Sequence, residues 1–183
     1  VAGVRAGRSL TDLLAACPPP LRAGTQALSF AVLRSLGGAL AVRTLLAPKA
    51  PPPAVDGLLL SALALLWPTG SPPPYAAHTL VDQAVTAARQ RVPAAAKFIN
   101  AVLRRFLREQ EVLVASVSAA GGTAQWNHPD WWIARLRADW PAHWEALLTS
   151  DNERPPMTLR VNARRGGDAA AYVARLAADG IAA

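Results

Sequence analysis

The chain has 183 residues, of which 52% are hydrophobic and 17% charged. These proportions exclude a disordered chain, and the length allows a core that needs no disulfide or metal staple. The formal net charge of +7 belongs to the first part: residues 1–110 hold 12 Lys/Arg against 4 Asp/Glu, and residues 111–183 hold 7 against 8, which suits residues 1–110 to polyanions.

The opening stretch, Val1-Ala-Gly-Val-Arg-Ala-Gly-Arg8, has no apolar core, so no signal peptide is expected. Val1 in place of Met reads as a truncation or a start-codon artefact. Proline lacks an N–H and clashes with the preceding turn, so the clusters at 18–20, 48, 51–53, 68 and 72–74 stop helices. The segments between them are rich in Leu and Ala and poor in β-branched residues, which favours helix. Helices are predicted over 10–16, 21–36, 39–47, 54–67, 75–90 and 93–117, with a break at Gly37-Gly38. The lone cysteine, Cys17, excludes an internal disulfide and fits a reducing cytoplasm, the expected location. Residues 54–67 are apolar nearly all round and should form the central buried helix. The apolar run Gly57–Trp67 is too short to span a bilayer, so no membrane partner is expected.

The clearest local signal is Pro93 to Glu109. At helical spacing Phe98, Ile99, Val102, Leu103, Phe106 and Leu107 fall on one side. Lys97, Arg104 and Arg108 fall opposite, flanked by Arg105. Such a stripe can meet RNA phosphates, and guanidinium groups can do so bidentately. The competing reading of the same pattern is a solvated helix face.

After Gly121-Gly122 the composition changes, and five tryptophans fall between residues 126 and 144. Pro129 and Pro141 each suit the first position of a short helix. Trp132, Ile133, Leu136 and Trp140 share one face, with Trp131 opposite near Arg135. The prolines of Arg154-Pro-Pro-Met-Thr-Leu-Arg-Val-Asn162 enforce extension, and Met157–Val161 alternates as a strand would. Arg164-Arg-Gly-Gly167 reads as a turn. Asp168 can cap a helix running to Asp179, which Gly180 stops. The expected architecture is therefore a mainly α chain: a helical bundle over residues 1–120, then an incomplete small α/β segment over 121–183.

Ala96-Lys97-Phe98-Ile99-Asn100-Ala101-Val102-Leu103-Arg104-Arg105-Phe106 resembles the signature helix of the NusB-like domain of RsmB (Sun/Fmu) 16S ribosomal RNA cytosine-5 methyltransferases. Tyr75-Ala-Ala-His78 and Val81-Asp-Gln-Ala-Val85 resemble the stretch before it in that family. His128-Pro-Asp-Trp131, Trp140-Pro141 and Asn152–Asn162 resemble the segment that joins this domain to the enzyme body. The resemblance implies a NusB-like RNA-binding bundle, then the start of an RRM-like α/β region. It implies a parent enzyme that uses S-adenosylmethionine and a catalytic cysteine. It also implies 16S ribosomal RNA as partner, and the chain is expected to act as a monomer. RNA-contacting candidates are Lys97, Arg104, Arg105 and Arg108, then Arg154, Arg160 and Asn162; Asn162 could equally cap the turn that follows it.

No catalytic or cofactor site is expected within these residues. Gly37-Gly38 and Gly121-Gly122 do not follow strands, and Gly166-Gly167 lacks the spacing of a nucleotide-binding turn. Cys17-Pro18 lies in an early proline-rich loop with no base nearby, which suits a small packing thiol. His78, His128 and His143 lack metal-ligand spacing, so no metal is expected. Two other readings of the chain are a NusB-type antitermination factor and a protein-interaction scaffold.

Overall fold

The structure is a computed structural model that describes residues 1–69, 75–156 and 158–181. It has two compact units, Val1–Glu153 and a second beginning at Arg154. Thirteen α-helices are present among the described residues. The first unit holds α1 (Ala2–Arg5), α2 (Leu10–Ala15), α3 (Pro19–Arg34), α4 (Leu36–Leu46), α5 (Pro53–Leu65) and α6 (Ala77–Arg91). It continues with α7 (Ala96–Arg108), α8 (Gln110–Ala119), α9 (Gly122–Trp126), α10 (Asp130–Asp139) and α11 (Trp144–Asn152). The second unit holds α12 (Ala163–Gly166) and α13 (Ala169–Ala178). The expectation of a mainly α chain holds. The expected strand does not appear: among the described residues 158–162 carry no strand, and Met157 lies outside them. A strand exists only as part of a ladder, and no described segment pairs with this one.

Prolines start α3 and α5 as their first residues, where the missing N–H is no loss. Pro129 instead stands one position earlier, as the N-cap of α10, and Pro141 lies in a turn before α11. The predicted helix over 93–117 is divided. A 3-10 turn at Pro93–Ala95 leads into α7, and Glu109 (φ −110°, ψ 15°) separates α7 from α8. Just beyond that break the Gln110 amide donates to the Leu66 carbonyl at 2.8 Å, tying the start of α8 to the end of α5.

Helix α5 is the centre of the first unit. Leu59, Leu60 and Leu63 are fully buried, and α3, α4, α6 and α7 surround it. Its one charge, Asp56, is also buried. Arg5 Nη1 donates to Asp56 Oδ2 at 2.6 Å, and Arg43 Nε stands 3.2 Å from Oδ1. The second approach is a charge contact that is not aligned as a hydrogen bond, so Arg43 Nε and Asp56 Oδ1 are held by electrostatics alone. Arg43 Nη1 also reaches the Ala47 carbonyl at 3.4 Å. The pair ties α4 to α5, and Arg5 adds α1.

The chain breaks between α3 and α4 at Ser35, not at the glycine pair. Gly37 and Gly38 lie inside α4 because other groups come too close for a side chain. A Cβ on Gly37 would stand 2.2 Å from the Thr123 carbonyl oxygen, and one on Gly38 would stand 2.6 Å from the Trp67 ring. That approach brings Asn127, in the left-handed region at φ 58°, to the start of α4. Its Oδ1 accepts the Gly38 N–H at 2.8 Å, one of the donors a helix start leaves unpaired. A side chain 89 positions away thus caps a helix whose own N-cap, Ser35, makes no side-chain bond to it.

A smaller apolar cluster, Ile133, Leu136 and Leu148, holds α10 to α11 beneath Trp126, Trp132 and Trp144. Trp140 lines an open pocket with Trp132 and Leu136, as the shared face implies, but does not pack into the cluster. Pro141 bars it from the helix, so α10 ends at Asp139 and Trp140 is exposed.

In the second unit Asn162 Oδ1 accepts the Arg164 N–H at 3.0 Å, so the expected turn at 164–167 begins as the capped helix α12. Asp168 caps α13 through the Ala171 N–H at 2.8 Å, as read from sequence. Gly180 (φ 73°) ends it: the Gly180 N–H bonds the Ala177 carbonyl and the Ile181 N–H the Leu176 carbonyl.

Replacing Asp56 by Ala leaves Arg43 charged and buried without a partner, so unfolding stability should fall by about 3–5 kcal/mol in urea titration. Arg5→Ala leaves the buried carboxylate its Arg43 charge contact but removes its hydrogen bond, so it should cost about 1–3 kcal/mol. Asn127→Gly keeps the backbone conformation and removes only the cap, at an expected cost of about 1 kcal/mol.

Candidate nucleic-acid interface

Helix α7 has no acidic residue and carries four cations over 13 positions. Ile99, Leu103 and Phe106 are fully buried and Val102 nearly so, packed toward α5 and α6. Each such side chain contributes about 1.5–3 kcal/mol by leaving water, which fixes the rotation of the helix about its axis. The same rotation turns Lys97, Arg104 and Arg108 outward, and all three are exposed. At 3.6 residues per turn they lie within about 40° of one another, along roughly 16 Å of helix.

Contacts on this face divide the cations. Arg104 Nε donates to Asn100 Oδ1 at 3.2 Å, one turn earlier, which orients its guanidinium without neutralising it. Arg105 Nε donates to both carboxylate oxygens of Glu109, each at 3.1 Å. Lys97 and Arg108 have no ion-pair partner among the described residues. Three positive charges therefore face solvent along one line, and a fourth beside them is paired with Glu109. Arg105 and Arg108 lie in the last turn, where the negative end of the helix dipole favours cations. The i,i+4 spacings of Asn100–Arg104 and Arg105–Glu109 are the sequence signal for both contacts.

Phe98 departs from its sequence assignment. It falls on the apolar side at helical spacing but is 39% exposed, unlike Phe106 at 0%. It sits at the edge of the buried arc, one step from Lys97 and two turns before Arg105.

Arg154, Arg160 and Asn162 belong to the second unit and are exposed. Asn162 uses its carbonyl oxygen as the cap of α12. The tryptophan region has contacts of its own: Arg137 lies 4.1 Å over the Trp144 ring, and Trp126 meets Trp144 edge-on at 5.0 Å. The Trp126 carbonyl accepts from Asn152 Nδ2 at 2.8 Å and stands 2.7 Å from His128 Nδ1. His128 and Asn152 thus fasten the α9–α11 corner. Trp131 is exposed, and Arg135 bonds Asp139 at 2.6 Å rather than the ring.

None of the three glycine pairs forms a nucleotide cradle. Gly37-Gly38 serves helix packing, Gly121-Gly122 starts α9, and Gly166-Gly167 closes α12. Among the described residues no three His, Cys, Asp or Glu side chains are grouped to hold a metal ion. No single described helix is long and apolar enough to cross a membrane. The pair α3 and α4 has the length and composition together but is bent by 70°.

The chain is similar in sequence to known proteins. A family described as Methyltr_RsmF/B-like, ferredoxin-like domain matches residues 128–183. Ribosomal RNA small subunit methyltransferase B of Cronobacter sakazakii is 36% identical over 173 residues, covering 87% of this chain and 38% of that protein. The same-named protein of Escherichia fergusonii is 35% identical over the same shares. A probable ribosomal RNA small subunit methyltransferase B of Coxiella burnetii is 46% identical over 87 residues, 46% of this chain and 20% of that protein. The chain thus spans about two fifths of the length of the longest-matched relatives.

The Arg105–Glu109 pair is exposed and local, so Glu109→Gln should change unfolding stability by no more than about 0.5 kcal/mol in a denaturant titration. A larger loss would show that Glu109 also holds the α7–α8 junction.

Proposed function

We propose that this chain, similar over 87% of its length to a ribosomal RNA small subunit methyltransferase B, is the RNA-binding part of such an enzyme. The observation that carries the reading is the exposed line of Lys97, Arg104 and Arg108 on a helix whose opposite side is locked into the core. Fixed cations meet phosphates with little ordering cost, because the backbone that presents them is already rigid. Residues 1–120 act as a NusB-like RNA-gripping domain. Residues 121–183 are the linker helices and the start of the small α/β region, and the ferredoxin-like family match lies within them, over 128–183. Arg105 adds a weaker contact, since Glu109 competes for it. Arg154, Arg160 and Asn162 add contacts from the second unit, with Asn162 limited to its Nδ2 donors once its oxygen caps α12.

The substrate in this reading is 16S ribosomal RNA, and the parent enzyme transfers a methyl group from S-adenosylmethionine to carbon 5 of a cytosine. In this reading the glycine pairs here serve packing and helix ends, and the methyl transfer is assigned to the parent's catalytic domain. The chain's own residues bind and orient the RNA as a cytoplasmic monomer, and binding energy spent away from the reacting base positions that base. The family match over 128–183 favours this reading over a free-standing antitermination factor.

The test is fluorescence anisotropy with 16S ribosomal RNA fragments across a salt series. Affinity should fall steeply with salt. Arg104→Glu with Arg108→Glu should weaken binding at least about tenfold and shrink the log–log salt slope by about 2, with circular dichroism unchanged because both positions are exposed. Unchanged affinity in the double variant would remove this helix from the interface.

A further inference from the structure

We propose that Phe98 is a stacking platform for an unpaired RNA base, so that the α7 surface takes single-stranded or looped RNA in preference to duplex. The inference rests on the RNA-binding reading above and adds to it a residue and a class of RNA. The observation is the exposure of an aromatic ring where the sequence pattern calls for burial. Phe98 is 39% exposed while Phe106, eight residues later on the same helix, is 0% exposed. Among the described residues no aromatic ring or guanidinium stacks on Phe98. Arg105 is the cation that shares its side of the helix, seven positions on, and its guanidinium is bound by Glu109 still further along. The ring therefore keeps an open surface beside Lys97 and within the cationic field of the stripe.

An exposed apolar ring costs solvation free energy, and a cationic rim makes the surface unsuited to a purely apolar protein partner. A nucleotide satisfies both parts at once: its phosphate meets the neighbouring Lys97, and its base covers the ring. Stacking of this kind needs a base free of its own stack, which a regular duplex does not offer, and RNA recognition commonly turns on such unstacked bases. Duplex RNA could use only the cations.

The experiment measures binding of the full chain to three probes of equal length: oligouridine, an abasic oligonucleotide with the same phosphates, and a short RNA duplex. Wild-type protein should favour oligouridine. Phe98→Leu, which keeps bulk against the core, should lose about tenfold in affinity for oligouridine, with no change for the abasic probe or in salt slope. Phe98→Tyr should restore oligouridine binding. Equal losses on oligouridine and abasic probes, or no loss on either, would overturn the stacking role. Wild-type protein that binds none of the probes would instead overturn the RNA-binding reading itself.

Discussion

The rotation of α7 about its own axis sets what the surface of this protein can do. Ile99, Val102, Leu103 and Phe106 are driven out of water against α5 and α6, and no other rotation buries all four. Lys97, Arg104 and Arg108 are then presented outward as a line, and Arg104 is further oriented by its hydrogen bond to Asn100. The apolar side is the larger energetic effect: four buried side chains at about 1.5–3 kcal/mol each outweigh exposed ion pairs worth about 0–1 kcal/mol. The charge pattern of the surface is a consequence of the core.

The partner of that apolar side is α5, and its position depends on features a helix wheel does not display. Asp56 sits buried between Arg5 and Arg43, joining α1, α4 and α5 through a charge contact. Such a group is costly to bury and more costly to leave unpaired. At the other end of α4, glycines at 37 and 38 let the Thr123 carbonyl and the Trp67 ring come within distances that a Cβ would forbid. The Asn127 side chain then caps the helix that those glycines opened to it. Residues beyond Gly121 are in this way part of the bundle's own packing, through α9 on α4.

The second unit shows the limit of local signals. Asp168 and Gly180 start and stop α13 where the sequence placed them, because caps and left-handed glycines act within a few residues. The alternation of 157–161 carries the strand preference equally well, yet residues 158–162 form no ladder, and no residue of α13 is buried. A strand and the helix that packs on a sheet are both defined by partners, and the family match over 128–183 names a fold in which such partners exist.

What the sequence determined by itself is therefore the local and periodic part. Proline placement, the apolar run of 54–67 and the period of 96–108 are enough to give helices, the central one among them, and the outward cations. The i,i+4 pairs Asn100–Arg104 and Arg105–Glu109 were equally readable. Tertiary structure alone decided that Gly37-Gly38 is a packing contact rather than a break, that Asp56 is buried between two arginines, and that Phe98 lies open while Phe106 is closed. Each of these depends on which distant atom arrives at a position, and side-chain periodicity fixes direction without fixing what stands there.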